Sequence, residues 1–127
     1  MIVLDENLPP ALASFLEALG EPARHVRALG LAATSDERIL EQLSAGEDCL
    51  LTRDRAMLRR PHVVALLHQC RLGLFILPSR IQLALESSEL VLRHWSHMLH
   101  IAKMEPRPFV GILSLRGPLS LDRKFGR

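Results

Sequence analysis

The stretch Met1–Pro10, MIVLDENLPP, decides how the rest of the chain is read. Ile2, Val3 and Leu4 form a short apolar run rich in β-branched residues, which predicts a buried strand. Asp5, Glu6 and Asn7 follow at once. Pro9 and Pro10 come next, and prolines cannot continue a ladder but can open a helix. Two carboxylates therefore stand where a core strand ends and a helix begins. In open α/β sheets, ligands bind in the crevice at the carboxyl ends of the strands. An acidic pair placed there is costly unless a cation or hydrogen bonds hold it.

Outward from this stretch, apolar residues recur at Leu8, Leu12, Phe15, Leu16 and Leu19, a helical spacing that Gly20 ends. His25–Arg27 reads as a short second strand, and Gly30 marks a turn in an irregular segment. Ser35 is a good N-cap, with Asp36 and Glu37 in the first turn where the helix dipole favours them. Ile39, Leu40 and Leu43 give that helix its apolar face, and Gly46 ends it. DCLLT (48–52) reads as the next buried strand, followed directly by Arg53–Asp54–Arg55. Residues 56–60 suggest a helical turn, and Pro61 opens a further helix through Val63, Val64, Leu66 and Leu67. LGLFIL (72–77) is a third apolar strand. Ser87 or Ser88 is placed to cap a long helix to about Lys103, with Val91, Trp95, Met98 and Ala102 as its inward stripe and Pro106 as its stop. PFVGILSL (108–115) is the last expected strand, and residues 117–127 read as a loose basic tail.

This alternation predicts a mostly parallel central sheet with helices on both faces, a three-layer αβα sandwich. The expected organisation is one domain, 1–115, with a basic tail at 116–127. A chain of 127 residues is long enough for a real core, and 48% hydrophobic with 24% charged residues marks an ordinary globular protein. Aromatic residues make up 4% and Tyr is absent, which argues against a stacking platform for single-stranded nucleic acid. The formal net charge is +2. Arginines cluster at Arg53, Arg55, Arg59 and Arg60, and the tail carries Arg116, Arg123, Lys124 and Arg127. Such groups are either solvated surface charge or phosphate contacts. Cys49 and Cys70 form neither a disulfide framework nor a zinc motif and read as buried thiols of a reducing cytoplasm. The N-terminus lacks the basic region and cleavage site of a signal peptide, and no apolar run reaches the ~20 residues a membrane span needs.

Asp5 follows the first strand, Asp54 follows DCLLT, and Asp36 with Glu37 opens the helix between them. If the two strands are neighbours, the first two project into one crevice, and the helix N-terminus can face it. Taken singly, Asp36 and Glu37 are ordinary helix-start residues, and Asp54 is an ordinary turn residue. Taken together, converging carboxylates repel one another unless a cation joins them. Mg²⁺ or Mn²⁺ suits such a set, because these ions take oxygen ligands and keep positions for water and phosphate oxygens. An ion so held can activate a water and stabilise charge on a phosphodiester. Asn7 and Thr52 are placed to orient a carboxylate or a water.

The opening LDENLP, the middle SDERIL and the later LLTRD resemble the PIN-domain nucleases. More closely they resemble the short PIN-like proteins associated with bacterial VapC-type toxins. The resemblance runs on through RRPHVVALLHQCRLGLFIL and the strand at Arg107–Val110, from Ile2 to about Leu113. It implies that Asp5 and Asp54 are metal ligands and that Asp36 supplies a third carboxylate, with Glu37 as its competitor and Glu6 in a lesser role. It further implies Mg²⁺- or Mn²⁺-dependent cleavage of RNA by a metal-activated water, leaving a 5′-phosphate. Neutralisation by a cognate antitoxin protein and a homodimer are also implied. Arg53, Arg55, Arg59 and Arg60 flank the expected site and are candidates to hold the RNA backbone. One departure stands out. The family often carries a fourth acidic residue shortly after Thr-x-Asp, and here Arg55–Arg59 contains none. A non-catalytic PIN-like binding module is therefore the rival reading. A response-regulator-like domain, the third reading, needs a lysine beside its acidic site, and the one internal lysine is Lys103.

His94, His97 and His100 recur every three residues on the long helix. Such steps drift around the helix, so the three read as a polar flank rather than a zinc site. His25, His62 and His68 have no evident partners in the sequence.

Overall fold

The structure is a computed structural model that describes residues 1–46, 48–78, 80, 81, 83–123 and 125. Lys124 and Arg127 of the expected basic tail lie outside the described residues. Ile2–Leu4 form β1, Pro10–Ala18 α1, Ala23–His25 β2, Asp36–Ser44 α2 and Cys49–Thr52 β3. Pro61–Gln69 form α3, Gly73–Ile76 β4, Ala84–Met104 α4, Phe109–Ile112 β5 and Ser120–Leu121 β6. Short 3₁₀ turns at Val26–Leu29 and Arg55–Arg59 follow β2 and β3.

The strand order is β2-β1-β3-β4-β5-β6. The first five strands are parallel, and β6 runs antiparallel to β5. The chain leaves β1 for β2 on one side and then crosses to β3 on the other. That reversal places the topological switch point between β1 and β3, where α/β sheets open a crevice at their carboxyl ends.

The side chains of each strand alternate between two cores. Ile2, Leu4, Cys49, Leu51, Phe75 and Phe109 pack under α1 and α4, against Leu12, Leu16, Val91, Trp95 and Met98. Val3, Leu50, Leu74, Ile76 and Val110 face α2 and α3, against Ile39, Leu40, Leu43, Val63 and Leu67. Both faces of the sheet are thus covered, which is why these strands read as continuous apolar runs. The αβα sandwich expected from the alternation is the observed fold.

Local chemistry sets the element ends. Pro10 opens α1, and Gly20 follows it at φ +82, a backbone conformation natural to glycine. The Ser35 hydroxyl accepts from the Arg38 N–H and caps α2. Two glycines make room for aromatic packing. A Cβ on Gly73 would meet the Phe109 ring at 2.3 Å, and one on Gly111 would meet the Phe75 ring at 2.8 Å. Phe75 and Phe109 pack edge to face with centroids 5.3 Å apart.

Several boundaries differ from the sequence reading. β2 comes earlier, at Ala23–His25, because Val26 already belongs to the 3₁₀ turn. α4 begins at Ala84, ahead of the serines expected to cap it. The Ser87 and Ser88 hydroxyls instead donate back to carbonyls at Leu83 and Ala84, inside the first turns. β5 ends at Ile112, and the expected loose tail contributes β6, whose neighbour Leu119 is buried. Phe15 and Leu19 fit the periodicity of α1 yet stand exposed. Cys49 is buried and Cys70 only partly so.

Candidate active site at the switch point

Asp5 is the first residue past β1, and its N–H still donates to the Leu51 carbonyl of β3 at 2.9 Å. The sheet ladder therefore fixes its backbone directly at the carboxyl edge. The residue is 7% exposed, and each of its carboxylate oxygens accepts one hydrogen bond. Oδ1 accepts from the Glu6 N–H at 2.8 Å, and Oδ2 accepts from the Thr52 hydroxyl at 2.7 Å. Thr52 Oγ1 in turn accepts from the Asp54 N–H at 3.0 Å and from Asn7 Nδ2 at 3.4 Å. Asn7 Oδ1 accepts from the Arg53 N–H at 3.3 Å. The ends of β1 and β3 are thus stitched together by one buried hydroxyl. Buried networks of this kind hold carboxylates in one geometry when every member is satisfied.

Asp5, Glu6, Asn7, Asp36 and Asp54 line one cleft of about 320 Å³, with Leu31, Ala33, Thr34 and Ile39 as its other walls. Sequence-distant Asp36 reaches it because α2 points its N-terminus at the switch point. Glu37, one residue on, turns away and pairs with His62 of α3. Asp36 is therefore the acidic residue of that pair that enters the cleft. Glu6 sits at the rim and pairs with Arg27 at 3.3 Å.

The electrostatics match this placement. The Asp36 carboxyl is held above the usual carboxylate value, chiefly because burial disfavours its charge. The Arg60 guanidinium opposes that rise, while the negative charges of Asp5, Asp54 and Glu37 add to it. Glu37 lies below the usual value, because its own backbone N–H donates to the carboxylate and His62 faces it.

Arg60 carries information the sequence did not. Its Nη1 donates to Asp36 Oδ2 and its Nη2 donates to Asp54 Oδ2 at 3.1 Å. It stands within the acidic cluster as an internal cation, rather than at the flank with Arg55 and Arg59, which are exposed. Arg53 is half-buried, with Nη1 donating to the Ile81 carbonyl at 2.8 Å. A planar fork reaching across two helix starts has no signature in local periodicity, so only the fold reveals it.

The donor set fits a hard divalent cation. All of it is carboxylate oxygen, Asp5 keeps lone pairs beyond its two hydrogen bonds, and the cleft has room for water. Among the described residues no three His, Cys, Asp or Glu side chains stand close enough together to hold an ion jointly. Mg²⁺ is ordinarily held by one or two carboxylates with waters in its other positions, so a third close side chain is not required.

The remaining histidines follow the sequence reading only in part. His94 turns inward, is buried, and its Nε2 bonds the Ser114 carbonyl at 2.9 Å, while His97 and His100 are exposed. His25 is buried, with Nε2 donating to the Leu8 carbonyl at 2.8 Å and Nδ1 accepting from the Arg27 N–H. That bond ties β2 to the turn following Asp5. His68 stacks on Phe125 with centroids 4.8 Å apart. Lys103 lies near the C-terminus of α4, beside Ser44 and Arg71, at the sheet edge opposite the cleft.

A family model described as a PIN like domain matches residues 1–79, more than half of the chain. The matched stretch holds β1 to β4 and every acidic residue of the cleft. No curated protein and no solved structure matches the chain. The chain belongs to the PIN-like domain family, which lies within a nuclease-type superfamily.

Proposed function

We propose that this protein is a divalent-metal-dependent ribonuclease whose active site is the cleft holding Asp5, Asp36 and Asp54. The observation that carries the reading is that these three carboxylates, from three separate segments, line one cleft at the switch point of a PIN-like sheet. Asp5, with Asp36 or Asp54, would hold Mg²⁺ or Mn²⁺. When bound, the ion supplies Lewis-acid stabilisation of phosphodiester charge and makes a water more acidic. The chain's own residues set the stage for this. Thr52 holds Asp5 in one orientation, Asn7 fixes Thr52, and Glu6 extends the negative rim. Arg60 pairs with both Asp36 and Asp54 and offsets part of their charge, and its fork is free for a phosphate once those carboxylates find another cation. Arg55 and Arg59 lie exposed nearby as backbone contacts.

The likeness of LDENLP, SDERIL and LLTRD to short VapC-type PIN-like proteins supports a role as the toxin of a toxin–antitoxin pair. That role brings a cognate antitoxin, a homodimer and a cytoplasmic setting. Among the described residues no helix is long and apolar enough to cross a membrane.

A second reading is a non-catalytic PIN-like module that binds protein or RNA. The Arg60 clamp on Asp36 and Asp54 favours it, together with the absence of a carboxylate in Arg55–Arg59. Labelled RNA incubated with Mn²⁺ decides between the two. The nuclease reading expects cleavage that EDTA stops and that Asp5→Asn reduces by ~100-fold or more, the scale of losing a group that acts in the transition state. No cleavage by the wild type with any divalent ion, or equal cleavage by Asp5→Asn, favours the binding module.

A further inference from the structure

A second concave surface lies on the same carboxyl edge of the sheet, past β4 and β5. It is a groove of about 430 Å³ lined by Arg55, Arg80 and Arg116, with Leu77, Leu113 and Ser114 among its other walls. Among the described residues no carboxylate lines it, and none of these arginines makes an ion pair. The three come from separate loops, so only the fold brings their charges together.

The wall that carries Arg116 is firmly built. Arg93 of α4 donates to the carbonyls of Ser114 and Leu115, and His94 Nε2 bonds the Ser114 carbonyl at 2.9 Å. The Gly117 N–H donates to Ser114 Oγ at 3.1 Å. The backbone on either side of Arg116 is thus tied to α4 and to itself, which places the residue at the groove. Arg55 connects the two concavities, since it directly follows Asp54 of the acidic cleft.

We propose that this arginine groove is the track for the phosphate backbone of a single-stranded RNA whose scissile bond lies in the acidic cleft. The choice of occupant rests on the nuclease reading, while the groove's anion-binding character rests on its own arginines. From β1 past β3 and β4 to β5 the sheet advances three strands, on the order of 14 Å, so a few nucleotides join the two sites. Guanidinium forks match phosphate oxygens, and among the described residues no aromatic ring on which a base would stack lines the groove. Contact is therefore with the backbone and indifferent to sequence.

The test measures binding of a fluorescent RNA 12-mer by anisotropy in EDTA, across a range of salt. For Arg80→Ala/Arg116→Ala the groove expects a log K–log salt slope shallower by about 1.4, because each lost single-strand phosphate contact removes ~0.7. Lys103→Ala, which removes a charge at the opposite edge, leaves the slope as in the wild type. Thermal unfolding of the double variant at the wild-type temperature shows that the effect is local. An unchanged slope in the double variant overturns the proposal. So does displacement of the RNA by poly-glutamate of matched charge at equal concentration, which would assign the groove to an acidic protein segment. Groove-dependent RNA binding in a protein that cleaves nothing upholds the groove and removes only the nuclease reading.

Discussion

Thr52 donates its hydroxyl proton to Asp5 Oδ2 at 2.7 Å, across the seam between the adjacent strands β3 and β1. Thr52 is fully buried, and its oxygen also accepts the Asp54 N–H. One side chain thereby fixes two of the acidic segments of the cleft. Thr52→Val keeps the shape and removes these two bonds together with the one from Asn7 Nδ2. It is expected to cost about 1–3 kcal/mol, the scale of leaving buried polar groups unpaired, read from urea unfolding. Mn²⁺ affinity, read by calorimetry, falls ~10-fold or more in the same variant, as for other residues that orient metal-binding carboxylates.

The aromatic pair beneath the sheet makes a second prediction, on stability alone. An alanine Cβ at Gly73 would lie 2.3 Å from the Phe109 ring and 2.9 Å from Cys49 Sγ. Gly73→Ala is expected to destabilise the protein by about 1–3 kcal/mol through overpacking, measured as a shift in the urea midpoint. Phe109→Leu in the same chain recovers part of that loss, because the two changes share one contact and do not add.

Asp36 sets a pH dependence in protein free of divalent ions. Its folded carboxyl titrates above the ordinary value because of burial, so in the window just above 3.8 the folded state binds more protons than the unfolded one. Stability from this group is fully present below the unfolded value and is lost as pH rises through the folded one. At pH 7 the ionised carboxylate of Asp36 is therefore less favoured in the folded protein than its neutral form would be. Asp36→Asn is expected to raise the melting temperature at pH 7 and to flatten its pH profile in that acidic window. Equal profiles for the two proteins would place Asp36 outside the cluster.

Most of the architecture is legible in the chain because its strands are buried on both faces. IVL, CLLT and GLFI read as unbroken apolar runs, and Ser35–Asp36–Glu37 announces a helix start without help from tertiary contacts. Asp5, Asp36 and Asp54 are legible as well, since each sits at an element end that parallel topology sends to one edge. What escapes is chemistry that spans loops. Arg60 reads as one of four clustered arginines, and nothing in its neighbourhood shows that its fork closes on carboxylates 24 and 6 residues away. The partner of His25 is a carbonyl 17 residues back, and that of His94 is 20 residues on. β6 is too short for periodicity and exists because Leu119 finds a place in the core.

The central claim is that the cleft at the β1–β3 switch point is a divalent-cation site built on Asp5. Titration of Mn²⁺ into apo protein, followed by the loss of the free-ion electron paramagnetic resonance signal, tests it most directly. Saturable binding by the wild type, weakened ~10-fold or more in Asp5→Asn and in Asp36→Asn alike, is the result predicted. No saturable binding by the wild type, or binding that both variants retain unchanged, contradicts it.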